Sequence, residues 1–443
     1  MYPFWEVPLV TSGMIIAFIA SFHILPSHLA TGAFWFNAYI EREAVKKDRP
    51  ELYDFLSRFT LLILIFCFVI GSITGVGIWF SATVASPRGI SGLIHNYVWG
   101  WATEWVFFFL EIATIYVYYY TLGRIDKESH LKLGIAYALA AWISMVIITG
   151  ILGFMLTSGK WIETGGFFDG FFNRTYWPQL FVRTSMMLGI AGIYAIIVAS
   201  RMKNKAVGQE IVRKASLWGI AGMVLGAIFT LWYLFKLPES VKDMAFHGGL
   251  PYLKTLLCVA AIAYLIVLLY FLIFGLIRPQ MAGTVTGIII LLVLFIGIGA
   301  GEGFREGARR PYIISQYMYG NQIIARDVPA LGVKSEVAKY QEKGIAKSLY
   351  WAKHLDLDRA EDRIKAGRML ALFLCGNCHS FEVNGIIRPL PSLLSRVGVE
   401  EAEDIAGFMD ALGDYPYMPE FPGDDLDKEL IGEYLATLPK GGE

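Results

Sequence analysis

Eight long apolar stretches, separated by short polar ones, fill the first 302 residues. They run 8–40, 55–83, 93–121, 133–157, 179–201, 216–235, 253–275 and 284–302. About 20 apolar residues in a helix cross the ~30 Å hydrocarbon core of a bilayer, so each stretch predicts a membrane-spanning helix. The first three exceed that length, which predicts tilt or projection beyond the membrane. After residue 303 charges and prolines appear, and no further run is long enough to span. Residues 303–358 read as a polar connector, partly helical around 335–355. Residues 359–443 read as a compact helical domain. The predicted fold class is all-α: a polytopic bundle over 1–302, the connector, and a small helical domain. No internal repeat or low-complexity segment interrupts this pattern.

Composition agrees with the pattern. Of 443 residues, 56% are hydrophobic and only 17% charged, against about a quarter charged in a soluble domain. Net charge is zero, so nothing points to a nucleic-acid partner; the expected surroundings are membrane lipid. No cleavable leader is expected, because the first apolar run lacks a basic segment before it and is long enough to span. Lys and Arg in short loops set orientation. Loops 41–54, 122–132, 201–215 and 276–283 carry thirteen basic residues, and loops 84–92, 158–178 and 236–252 carry five. This bias assigns the first set to the cytoplasm and both chain ends to the outside. The expected location is the bacterial inner membrane, with the C-terminal domain extracytoplasmic.

Four cysteines are too few for a disulfide framework. Cys67 and Cys258 lie in apolar runs and read as packing residues. Cys375-Gly376-Asn377-Cys378-His379 is C-x-x-C-H, the attachment signature of c-type heme. The two thiols add to the heme vinyl groups, and the histidine falls beneath the iron. A zinc site needs further ligand pairs and a redox pair needs a βαβ context; neither is present. Downstream, Tyr415-Pro416-Tyr417-Met418-Pro419 sets a methionine in a proline-bracketed loop, suited to giving a thioether to iron as well as to plain surface exposure. The segment resembles small monoheme class I cytochromes c. One covalent heme c is expected, with His379 and Met418 as its axial ligands.

Ionisable residues inside spans mark functional sites by default. His23 and His28 lie in the first span. Glu104 and Glu111 lie seven apart on one face of the third, which fits a proton path or hydrogen bonding to neighbouring helices. At the end of the eighth, Glu302, Arg305, Glu306, Arg309 and Arg310 form a charged cluster. It suits anionic heme propionates or an interfacial set of ion pairs.

These residues carry a resemblance to the large subunit of cytochrome bd-type quinol oxidases, over roughly 8–315. The matching segments are Phe22-His23-Ile24-Leu25 with Gly32, Gly71-Ser72-Ile73-Thr74-Gly75 with Phe80, and Glu104 through Phe107-Phe108-Phe109-Leu110-Glu111. The fourth is Glu306-Gly307-Ala308-Arg309-Arg310-Pro311-Tyr312. The resemblance implies one high-spin heme on His23 and another tied to Glu306, of type b, d or both. It implies that Arg309 and Arg305 hold propionates or an oxygen intermediate, that Glu104 and Glu111 relay protons, and that a second membrane subunit is present. The departures also carry information. Arg183 stands where the family has a histidine for its low-spin heme, and Leu256 where it has a methionine. Arginine cannot deprotonate to bind iron and leucine has no donor atom. The long quinol loop is reduced to 236–252, with His247.

The implied function is a bd-like terminal oxidase subunit. It exchanges electrons with a cytochrome c through its own c heme and reduces dioxygen or another small oxidant at high-spin hemes. A non-catalytic conduit or scaffold in a larger respiratory complex, and quinol:cytochrome c electron transfer, remain open. His28, His95, His130 and His247 are open as unrecognised ligands or as structural histidines.

Overall fold

The structure is a computed structural model and describes residues 5–247, 250 and 252–440. Among the described residues, eight helices are long and apolar enough to cross a membrane. They are α1 (Ser12–Lys46), α2 (Leu52–Ala85), α3 (Val98–Thr121), α4 (Lys127–Leu156), α5 (Tyr176–Ser200), α6 (Lys205–Lys236), α7 (Tyr252–Ile277) and α8 (Thr284–Arg309). Side chains set several of the starts. The Thr11 hydroxyl accepts from Met14 N, Asp126 from Ser129 N and Asn204 from Val207 N. Each cap satisfies an amide that has no partner within the helix.

α5 is the central helix, buried along most of its length. α1 packs across it so closely that a Cβ on Gly32 would lie 2.3 Å from Met187 O. Small residues at such crossings let backbones approach and gain dispersion contacts where lipid gives no hydrophobic drive. By contrast, Phe18, Ile73, Phe80, Trp105, Phe109, Leu231 and Phe235 lie exposed. An apolar surface of this extent suits lipid or another membrane subunit rather than water. α2 contains a π-turn, Phe66–Ile70, immediately before Gly71. Such turns insert an extra residue and re-aim the helix that follows.

Several helices run further than the apolar pattern indicated, α6 and α8 the most. α6 starts at Lys205 rather than 216. Its added turns are held by ions, with Glu210 bound by Arg49 at 2.7 Å and Lys214 by Glu43 and Glu210 at 2.5 Å. α8 continues from 302 to Arg309, with Glu302 paired to Arg305 and Glu306 to Arg310 along the same helix.

Beyond α8 the chain forms a two-stranded antiparallel pair, β1 (Tyr312–Ile314) and β2 (Met318–Tyr319). Ile314, Tyr317, Met318 and Val328 share a core with Trp161 and Tyr176 of the bundle. Ser315 N donates to Met155 O at 2.9 Å. Further on, α9 (Ala360–Leu374), α10 (Leu390–Val397), α11 (Ala402–Phe408) and α12 (Asp425–Ala436) build a C-terminal unit. Its core takes in Tyr340, Ile345, Leu349 and Ala352 from the connector as well as Leu370, Ile405 and Leu430. Asp427, fully buried, caps α12 and accepts Ile345 N at 2.6 Å and Ala346 N at 2.8 Å. The connector is therefore packed at both ends rather than loose, and its packing changes partner near residue 336.

Candidate functional site

Three groups of sequence-flagged residues lie between the middle of the bundle and the C-terminal unit. The first is His23. Its Nδ1 lies 2.9 Å from Thr74 Oγ1. That hydroxyl already donates to Ile70 O at 2.8 Å and Gly71 O at 3.0 Å. A hydroxyl has a single proton; with that proton on one of these carbonyls, the oxygen accepts from His23 Nδ1. Nε2 then keeps its lone pair, the tautomer that a metal-binding imidazole needs. Gly75 sits beside the ring, 3.4 Å from Cε1 to an added Cβ, and His23 is half-buried rather than sealed.

His28 has the same tautomer in a different setting. Its Nδ1 donates to Ile24 O at 3.0 Å. Its Nε2 is sealed without a partner, and the residue is 3% exposed. It is therefore packed closely on every side. Arg183 is an electrostatic neighbour of His28, Glu302 and Arg305 but has no hydrogen-bond or ion-pair partner among the described residues. Leu256 packs on α8, with Cδ1 3.1 Å from a Cβ added to Gly303.

The second group is the charged end of α8. Arg305 gives both Nε and Nη2 to Glu302 Oε2, at 2.9 and 2.7 Å. Arg310 gives Nη2 to Glu306 Oε1 at 2.9 Å. Arg309 contacts Met155 Sδ at 3.8 Å, and its Nε is buried without an acceptor. Four arginines here, counting Arg183, face two glutamates, so two positive charges lack a carboxylate. An excess of positive charge in a partly buried cluster attracts anions. Between α3 and α4, Glu104 accepts from Ser144 Oγ at 3.0 Å, and the same serine neighbours the buried Glu111.

The third group is the turn that ends α9. Cys378 N and His379 N both donate to Cys375 O at 2.9 Å. Cys375 and Cys378 are free thiols. His379 Nδ1 donates to Arg388 O at 3.0 Å, and Arg388 Nε donates to Cys378 O at 2.9 Å. Burial, with Arg388 close by, lowers the imidazole pKa to about 4, so the ring is neutral with its Nε2 lone pair free. Met418 lies in a turn closed by its own amide on Tyr415 O at 3.0 Å.

This turn rests against the bundle. Asn377 Nδ2 donates to Gly320 O at 2.8 Å, and a Cβ on Gly13 would lie 3.0 Å from Asn377 O. Ile386 N donates to Leu9 O at 2.7 Å, Leu9 N to Glu382, and Arg368 pairs with Glu6. Cys378 is an electrostatic neighbour of Arg310, and Arg388 of Glu306. Tyr417, beside Met418, packs on the cluster of Leu156, Phe304 and Ala308.

Two other histidines lie apart: His95 donates to Ser91 O at 2.7 Å, and His247 is exposed beside Asp243. Sequence reasoning treated Glu41 as a loop residue, but it lies wholly buried inside α1, bonded to His130 and Tyr118. A signal for it existed: Glu104, Glu111 and Tyr118 repeat every seven residues, as do His130, Tyr137 and Ser144. No group of three or more His, Cys, Asp or Glu side chains fit to hold a metal ion occurs among the described residues. Heme iron needs no such group, since the porphyrin supplies four of its ligands.

No family model matches the chain, and no curated protein matches it in sequence. Its fold is similar to the structure of bd oxidase from Geobacillus thermodenitrificans, with a TM-score of 0.59 at 14% identity, covering 82% of this chain and 95% of that one. The chain is thus a multi-pass membrane protein with the helical bundle fold of a bd oxidase.

Proposed function

We propose that this chain is the heme-bearing subunit of a bd-like terminal oxidase in a bacterial cytoplasmic membrane. It takes electrons from a cytochrome c at its own C-terminal cytochrome unit, on the outer side, and reduces dioxygen or another small oxidant inside the bundle. The observation that carries this reading is the contact of the Cys375–His379 turn with Gly13, with Cys378 an electrostatic neighbour of Arg310 just past α8. His23 lies ten residues along α1 from Gly13, about 15 Å along the axis at 1.5 Å per residue. Heme would supply one-electron iron chemistry, covalently held by Cys375 and Cys378 in the cytochrome unit and of b or d type in the bundle.

The residues fit that group. His23 and His379 each fix Nδ1–H on a protein acceptor and leave Nε2 to bind iron. Met418 offers a thioether as the second axial ligand in the cytochrome unit. Glu306 offers a carboxylate held in place by Arg310. The unpaired Arg309 Nε and the partnerless Arg183 suit propionate carboxylates, with Arg305 in support. Glu104 and Glu111, joined by Ser144, hold and pass the protons that must match the electrons one for one. A second membrane subunit would cover part of the exposed apolar face.

Carbon monoxide is expected to shift the spectrum of the reduced protein, and His23→Ala to remove part of that shift. An unchanged shift in both His23→Ala and Glu306→Ala would end the assignment. A pyridine hemochrome assay that finds one c heme and no b or d heme would leave the conduit reading instead. Met418→Ala is expected to keep the covalent heme, open its sixth position and lower its potential, read by absorption and redox titration. A low-spin spectrum unchanged by this substitution would remove Met418 from the ligand set.

A further inference from the structure

Glu104, Glu111 and Tyr118 recur every seven residues along α3, and His130, Tyr137 and Ser144 recur likewise along α4. Seven residues make nearly two turns, so each set lies along one helix face. The two faces meet in antiparallel register. At one level the His130 and Tyr118 rings lie 4.1 Å apart. At the middle level Tyr137 and Glu111 are electrostatic neighbours. At the third, Ser144 donates to Glu104 at 3.0 Å. The levels are roughly 10 Å apart along the helices.

Glu41 of α1 completes the first level. Tyr118 Oη donates to its Oε2 at 2.9 Å, and His130 Nδ1 lies 2.5 Å from its Oε1. His130 Nε2 lies 2.9 Å from Tyr118 O. A carbonyl oxygen can only accept, so Nε2 carries a hydrogen. One further proton then sits between Nδ1 and Oε1, as imidazolium with carboxylate or as imidazole with carboxylic acid. Both forms are neutral overall, so the pair can stay buried while its proton shifts between the partners. It lies close to water: Glu41 is five residues from the end of α1, and His130 is the fourth residue of α4. The loops beyond are those that the basic-residue bias assigns to the cytoplasm. Towards Glu111, Tyr137 Oη is sealed without a hydrogen-bond partner, so its proton is not committed to another acceptor.

We propose that Glu41, His130 and Tyr118 form a proton-loading site at the cytoplasmic end of the bundle, which feeds Glu111 by way of Tyr137. The proposal rests on the oxidase reading only for the use made of the protons. In each transfer a proton leaves water for the Glu41–His130 pair, and the pair releases one towards Glu111. No bond other than those to hydrogen changes, and the electrons that the protons balance arrive separately.

The test uses the full-length protein in vesicles, with a pH-indicating dye on the side of residues 41–54. Proton uptake is followed on anaerobic reduction, and oxygen consumption in steady state. Glu41→Gln keeps the size of the side chain and the bond from Tyr118, and its amide N–H can donate to a neutral His130 Nδ1, but it cannot carry a proton. It is expected to slow both rates ~10-fold or more and to raise the solvent deuterium isotope effect, with heme content and carbon monoxide binding unchanged. Wild-type rates and isotope effect in Glu41→Gln would overturn the proposal, as would a wild type that takes up no proton from this side on reduction. If Glu41→Gln fails to assemble, Tyr118→Phe removes only the donated hydroxyl and is expected to slow uptake several-fold; no slowing overturns the proposal. A wild type that consumes no oxygen, yet loads protons through Glu41, would refute the oxidase reading and support this one.

Discussion

Deleting residues 337–443 should abolish electron uptake from reduced cytochrome c while sparing the ligands of the bundle. The cut at 336 follows the packing. Ile314, Tyr317, Met318 and Val328 share a core with Trp161 and Tyr176, though Ile323 packs in the core of the C-terminal unit, and Arg88 pairs with Glu336 at 2.8 Å. From Tyr340 onward the connector belongs to the core of the C-terminal unit. A cut at 358 would leave Ile345, Leu349 and Ala352 without their partners, and misfolding would then obscure the result. His23, Glu306 and Arg309 all precede 336, so carbon monoxide binding should persist. Oxygen consumption with cytochrome c as donor should fall to the level without enzyme, while a small artificial reductant should still support some. Consumption at the full rate from cytochrome c would show that the unit serves docking or assembly and that electrons go in elsewhere.

Gly367→Val should unfold the C-terminal unit. α9 and α12 cross at this residue, where a Cβ would lie 1.9 Å from Leu430 O and 2.9 Å from Tyr434 Cβ. The obstacle is backbone, which cannot swing aside as a side-chain tip can. Relief requires the helices to separate, which breaks the Leu370–Leu430–Ile431 packing and strains the Arg363–Glu433 ion pair. Overpacking of this kind costs ~3 kcal/mol or more, a large share of the stability of so small a unit. Limited proteolysis should release the segment after the bundle, and heme stain on denaturing gels should fall at least tenfold. Alanine, the smallest residue with a Cβ, should give a weaker version of the same defect. Wild-type protease resistance in Gly367→Val would mean that the crossing is looser than the structure has it.

All eight spans were legible, because bilayer thickness sets a length that apolar runs reveal. Helix ends were less so wherever ions, not apolar side chains, carry the last turns. Glu210 and Lys214 extend α6 through bonds to Arg49 and Glu43, partners that a hydropathy reading places in a loop. The Cys375–His379 turn was legible as a motif because its chemistry is local. The seat of that turn on Gly13 and Gly320 was not, since nothing in either glycine signals a partner over 50 residues away. The buried Glu41–His130 pair was hidden for the same reason. Each residue alone resembles a helix-end charge, and only the register of α1 against α4 joins them. The tautomers of His23 and His379 likewise depend on Thr74 and on Arg388 O, neighbours that only folding supplies.

The seating of the C-terminal unit also bears on kinetics. It is fixed by backbone hydrogen bonds to Leu9 and Gly320 and by an ion pair to Glu6, not tethered by a free linker. An internal hand-over between docked partners involves no diffusive search, so neither protein concentration nor viscosity sets its pace. Ionic strength, which screens charges over roughly 8–10 Å in ordinary buffers, then acts chiefly on the arrival of the outside donor. On the proposed reading the electron donor is met by collision at this surface, and the hand-over that follows runs at a rate fixed by the geometry of the docked unit.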